Sequence, residues 1–123
     1  MPHFTKLEMA VIDAICRQHP EVADALRTQL ATARVTAREN TGAGMIVSWD
    51  TAETAPPFPR PMWNFGDVRS TNCGVELSFF VMTSSDNKSE GLEGYIAGEG
   101  NDTSGVDLTT VPFSPLLAAY EPG

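Results

Sequence analysis

The sequence predicts an α+β protein, an N-terminal helix pair packed on a mainly antiparallel sheet of about four to five strands. Three observations lead there. Two segments with helical spacing of apolar residues follow each other directly at the N-terminus. From Val35 onward, short alternating runs are divided by glycine-, proline- or polar-rich turns. No strand–helix–strand rhythm occurs, which argues against a doubly wound nucleotide-binding sheet.

Thr5 and Glu8 have the spacing of a capping box, so the first helix should begin there. Leu7, Val11 and Ile15, flanked by Ile12 and Cys16, form its apolar stripe, which runs to about Gln18. Pro20 cannot continue that helix but suits the first turn of another. In the second helix Glu21 meets the positive end of the dipole, and Val22, Ala25, Leu26, Leu30 and Ala33 line the buried face.

Alternation then takes over. Val35, Ala37 and Glu39 are expected on one side of a strand, Thr36 and Arg38 on the other. Thr41-Gly42-Ala43-Gly44 supplies a tight reversal into Met45-Ile46-Val47-Ser48-Trp49, giving a first hairpin that ends near Asp50. Four prolines, Pro56, Pro57, Pro59 and Pro61, make the following segment a stiff extended loop. Gly66 to Arg69 is a candidate further strand. Val75 to Met82 is the strongest strand and is expected inside the sheet, with Thr83 to Glu90 as a loop and Leu92 to Ala97 returning. Gly98 to Gly105 reads as a loop, and Val106 to Phe113 as a short edge strand or turn.

A length of 123 residues suits one domain, 1–123, with one core. The formal charge of -8 repels phosphate backbones and anionic headgroups, so neither direct nucleic-acid nor membrane binding is expected. Without an apolar run of spanning length or a basic leader, a soluble, cytoplasmic chain is expected. Two cysteines are too few for a disulfide scaffold and should be reduced. Two Asn-X-Ser/Thr matches, at Asn87 and Asn101, are then chance occurrences in turn-rich segments.

Catalytic chemistry finds little support. Cys16 lies on an apolar helical stripe, and Cys73, in a turn, has no base near it in sequence. His3 and His19 with two isolated cysteines lack zinc-ligand spacing, so no metal or other cofactor is expected. The acidic loop from Glu99 to Asp107 concentrates oxygen ligands but does not follow the EF-hand template; whether it takes calcium stays open. Gly94 to Gly100 is glycine-rich without the lysine and hydroxyl of a phosphate loop. No catalytic residue is assigned.

The residues singled out for binding are Arg38, Glu39 and Asn40 at the first hairpin turn, with Trp49, Trp63, Glu93 and Tyr95. The run Arg38 to Gly44 after a helix pair, with Leu92-Glu93-Gly94-Tyr95 later, resembles a group of small bacterial proteins of uncharacterised function. That resemblance implies a bacterial, intracellular setting and no mechanism. Two readings follow. One is a non-enzymatic interaction or regulatory domain that binds a protein partner through an acidic and aromatic surface. The other is a small-molecule binding domain or minor enzyme whose pocket, between helix pair and sheet, gathers Arg38, Glu39, Trp49, Glu93 and Tyr95. An exposed strand edge also leaves a homodimer open.

Overall fold

The computed structural model describes residues 4–72 and 75–96. Helix α1, Lys6–Gln18, starts at the expected capping box: the Glu8 amide donates to Thr5 Oγ1 at 3.1 Å and the Thr5 amide to Glu8 Oε1 at 2.9 Å. Two donors that the helix leaves without intrahelical partners are thereby satisfied. Leu7, Val11, Ile12, Ala14, Ile15 and Cys16 are buried on its inner face. Helix α2, Pro20–Ala31, follows after His19 alone, whose amide closes α1 on the Ile15 carbonyl while its own carbonyl accepts from Val22. Val22, Leu26 and Leu30 are buried as the spacing predicts, whereas Ala33 reaches the core from beyond the helix end.

Five strands follow: β1 (Arg34–Asn40), β2 (Gly44–Asp50), β3 (Phe65–Asn72), β4 (Val75–Thr83) and β5 (Ser89–Ile96). They form one antiparallel sheet in the order β1-β2-β5-β4-β3, with both helices packed on one face. The fold class is the predicted one. The candidate strand at Gly66 to Arg69 is part of β3, and the strong apolar strand β4 lies between β3 and β5, inside the sheet.

Cross-strand partners share a face, so the register sorts the residues. Met45, Val47 and Trp49 of β2, Leu92 of β5, Leu77, Phe79 and Val81 of β4, and Phe65 and Val68 of β3 point toward the helices and are buried with them in one cluster. Each such large side chain contributes about 1.5–3 kcal/mol through removal from water. Gly94 carries no side chain because the Phe79 ring fills the space: an added Cβ would lie 2.4 Å from it.

One expectation about faces is corrected. A bulge between Val35 and Ala37 shifts the phase of β1, so Val35 opposes Trp49, Ala37 opposes Ser48 and Arg38 opposes Val47. Arg38 therefore turns inward with Val35 instead of lying on the opposite side.

Alternating strand directions place the β2–β3 connection and the β4–β5 turn at one end of the sheet. The β1–β2 turn and the exit from β5 lie at the other, where the Ile96 amide donates to the Ala43 carbonyl at 2.9 Å. The proline-rich connection is more than a spacer. Its Ala55, Phe58 and Met62 are buried, and the Phe58 ring meets Phe65 edge-on at 5.2 Å. The sequence readings at Cys73, at Ala97, in the acidic loop 99–107 and over 106–123 lie outside the described residues.

Candidate functional site

The seven residues selected from sequence do not converge. Arg38 is committed to the fold: its Nε donates to Glu8 Oε2 at 2.8 Å and its Nη2 to Glu8 Oε1 at 2.9 Å. Glu8 is 1% exposed, and this forked bond raises the pKa of Arg38 further above its ordinary value. Asn40 serves the turn, its Oδ1 accepting from the Gly42 amide at 2.9 Å. Trp49 is an internal anchor, 3% exposed, with its indole N–H on Ser89 Oγ at 3.2 Å and Phe4 edge-on at 5.3 Å. Glu39, Glu93 and Tyr95 point the other way: Glu39 and Glu93 both oppose Ile46, and Tyr95 opposes Ser78. A pocket between helices and sheet gathering all five of its expected residues is thus not formed, because Arg38 and Trp49 face inward while the other three face outward.

Trp63 stands apart. It is 89% exposed, the largest apolar side chain that the described residues offer to solvent. Its backbone is nevertheless held tightly against the β4–β5 turn. Asn87, in the left-handed region at φ 62°, accepts from the Met62 amide at 2.8 Å and donates to the carbonyls of Arg60 at 2.8 Å and Phe58 at 3.3 Å. The Phe58 amide donates to the Asn87 carbonyl at 2.9 Å. On the other side of Trp63, Asn64 and Thr83 exchange two bonds, the Asn64 amide to Thr83 Oγ1 at 3.2 Å and the Thr83 amide to Asn64 Oδ1 at 3.1 Å. The Thr83 hydroxyl also donates to the Met62 carbonyl at 3.1 Å. The backbone on both sides of Trp63 is fixed while the ring itself touches little, so the loop's ordering cost is already met in the free protein and only the side-chain rotamer is left to fix on binding.

Charge near this loop is mixed. Arg60 pairs with Glu21 at 2.7 Å, a bond that lowers the pKa of Glu21. In the adjoining turn Asp86 is held below its ordinary pKa, mainly by the hydrogen bond from Ser84. Alongside lies a polar depression of about 270 Å³, lined by Asp50, Thr51, Asp86, Lys88, Ser89 and Glu90 among others. Lys88 is buried at its base, and its Nζ is occupied by the carbonyls of Glu53 at 2.9 Å and Ala52 at 3.3 Å.

The chain matches no family model, no curated protein and no solved structure. Its chemistry has to be read from its own side chains. Among the described residues no cluster of His, Cys, Asp or Glu could hold a metal ion, and no helix is long and apolar enough to cross a membrane. Cys16 is buried, and desolvation raises its thiol pKa, which suppresses the reactive thiolate.

Nothing in the sequence ranks Trp63 above the other candidates, and Asn87 and Thr83, which hold the Trp63 loop in place, are not among them. The available signal was a polar turn containing Asn, a residue that tolerates positive φ.

Proposed function

We propose that this chain is a non-enzymatic interaction domain of the bacterial cytoplasm that engages a protein partner, with Trp63 as the principal anchor. The observation that carries the reading is a tryptophan 89% exposed on a loop fixed from both sides. A solvent-facing indole is costly to leave in water, and tryptophan is among the residues most enriched at the energetic centres of protein interfaces. The overall charge of -8, with Asp86 in the turn that supports the loop, favours a partner with a basic surface and disfavours nucleic acid. Arg38, Asn40 and Trp49 support the fold in this reading instead of touching the partner.

The test is affinity capture from a bacterial lysate at two salt concentrations, followed by titration of the purified partner against wild type, Trp63→Phe and Trp63→Ala. Trp63→Ala should weaken binding at least thirty-fold, about 2 kcal/mol, with Trp63→Phe intermediate and thermal stability unchanged. Binding by Trp63→Ala within twofold of wild type would refute the assignment.

A further inference from the structure

The helices pack on one face of the sheet, and the opposite face carries a row of side chains that crosses four strands. Glu39 of β1 and Glu93 of β5 both oppose Ile46 of β2, and Glu93 also opposes Phe80 of β4. Two strand spacings, about 10 Å, therefore separate the two glutamates. Glu93 is half-buried between Ile46 and Phe80, and no hydrogen bond or ion pair joins it to the described residues. Beside it Tyr95 is 45% exposed, and the Phe80 and Tyr95 rings lie 6.2 Å apart with their planes inclined at 58°. A carboxylate that has lost part of its water to apolar neighbours, with no cation of its own, gains from one supplied by another molecule. Directly opposed side chains start about 5 Å apart at Cβ, so a cation paired with Glu93 can also meet an aromatic ring at the ~6 Å where cation–π attraction operates.

We propose that this outer face docks a segment of a protein partner that bears two arginines, one on Glu93 with the Phe80 and Tyr95 rings and one on Glu39. Charge complementarity selects the occupant. The register puts Glu39, Glu76 and Glu93 on this face against one cation, Arg69, which already sits 3.7 Å from Asp67. An anionic partner is repelled by these groups, and a second copy placed face to face would set like charges against each other. Arginine suits the place better than lysine, because its planar guanidinium stacks on a ring while its N–H groups bond a carboxylate. Residues two apart in an extended chain project from the same side about 7 Å apart, and the flexible arginine stems span the difference to the ~10 Å between the glutamates. This surface goes beyond the Trp63 reading and does not depend on it: Tyr95 pairs with Gly44 at one end of the sheet, whereas Asn64, next to Trp63, bonds Thr83 at the other.

NMR titration of the isotope-labelled full chain with the blocked tripeptide acetyl-Arg-Ala-Arg-amide tests this. Saturable shifts centred on Glu39, Ile46, Phe80, Glu93 and Tyr95 are expected, with a dissociation constant of about 1 mM. Citrulline in place of both arginines keeps their size but removes the charge, leaves the protein itself untouched, and should weaken binding about tenfold. Glu93→Gln should weaken it about fivefold and Phe80→Leu about threefold, while Trp63→Ala should bind as wild type does. The absence of saturable shifts, shifts centred on the helices, equal binding of the citrulline peptide, wild-type binding by Glu93→Gln or Phe80→Leu, or loss of binding in Trp63→Ala would each overturn the proposal.

Discussion

Replacing Arg38 by Met leaves the Glu8 carboxylate, 1% exposed, without its forked cation while the Thr5 amide still donates to it. Removing one member of a buried pair costs about 3–5 kcal/mol, because the remaining charge stays desolvated. The Arg38 side chain is 29% exposed, so water can reach part of the vacated space and reduces the cost to about 2 kcal/mol. With an unfolding entropy of about 2.1 cal/mol/K per residue, a chain of this size should lose about 8 °C in Tm. Thermal unfolding followed by circular dichroism measures this directly. Arg38→Lys, which keeps the charge but not the fork, should fall between the two. The difference should persist in 1 M salt, since a pair with one partner enclosed is screened far less than a surface pair. A Tm for Arg38→Met within 2 °C of wild type, or a difference that vanishes in salt, would show that the pair is solvated in solution and that the inward turn of β1 contributes nothing.

Gln29→Leu should destabilise by about 2 kcal/mol in denaturant titration, because it strips the Ser89 amide of its acceptor at 2.8 Å and the Pro56 carbonyl of its donor at 2.8 Å. Gly94→Ala should cost about 1–3 kcal/mol or force the Phe79 ring to move, read as a lowered urea midpoint with altered aromatic NMR shifts. Glu21, whose pKa is lowered mainly by its bond to Arg60, stabilises the fold above its ordinary carboxylate pKa and loses that contribution as pH falls toward the folded value. Glu21→Gln should accordingly flatten the loss of stability on acidification, and an unchanged pH profile would refute this.

Much of the architecture is legible in sequence where the physics is local. Thr5 and Glu8 satisfy each other across one helical turn, Pro20 stops one helix and starts the next, and Val75 to Met82 announces a buried strand by composition alone. What stays hidden depends on partners distant in sequence. The bulge at Thr36 leaves no compositional mark, yet it decides that Arg38 meets Glu8. Gln29 looks like an exposed helical residue until Pro56 and Ser89 are brought to it. Trp49 and Trp63 are indistinguishable as candidate anchors in sequence. Only the tertiary arrangement buries the first against Ser89 and leaves the second on the loop held by Asn87.

The position of β5 bears on how the chain reaches this state. The central strand is the last of the five in sequence, and it joins hairpin β1–β2 to the β3–β4 pair through pairings such as Ser48 with Gly91. Hairpins β1–β2, β3–β4 and β4–β5 are local and can close early, but the sheet becomes continuous only when β5 pairs with β2 across the intervening chain, a non-local step that slows folding. During synthesis β2 and β4 each wait with an open edge until residues 89–96 emerge, so truncation before Ser89 should yield aggregation and not a smaller stable domain.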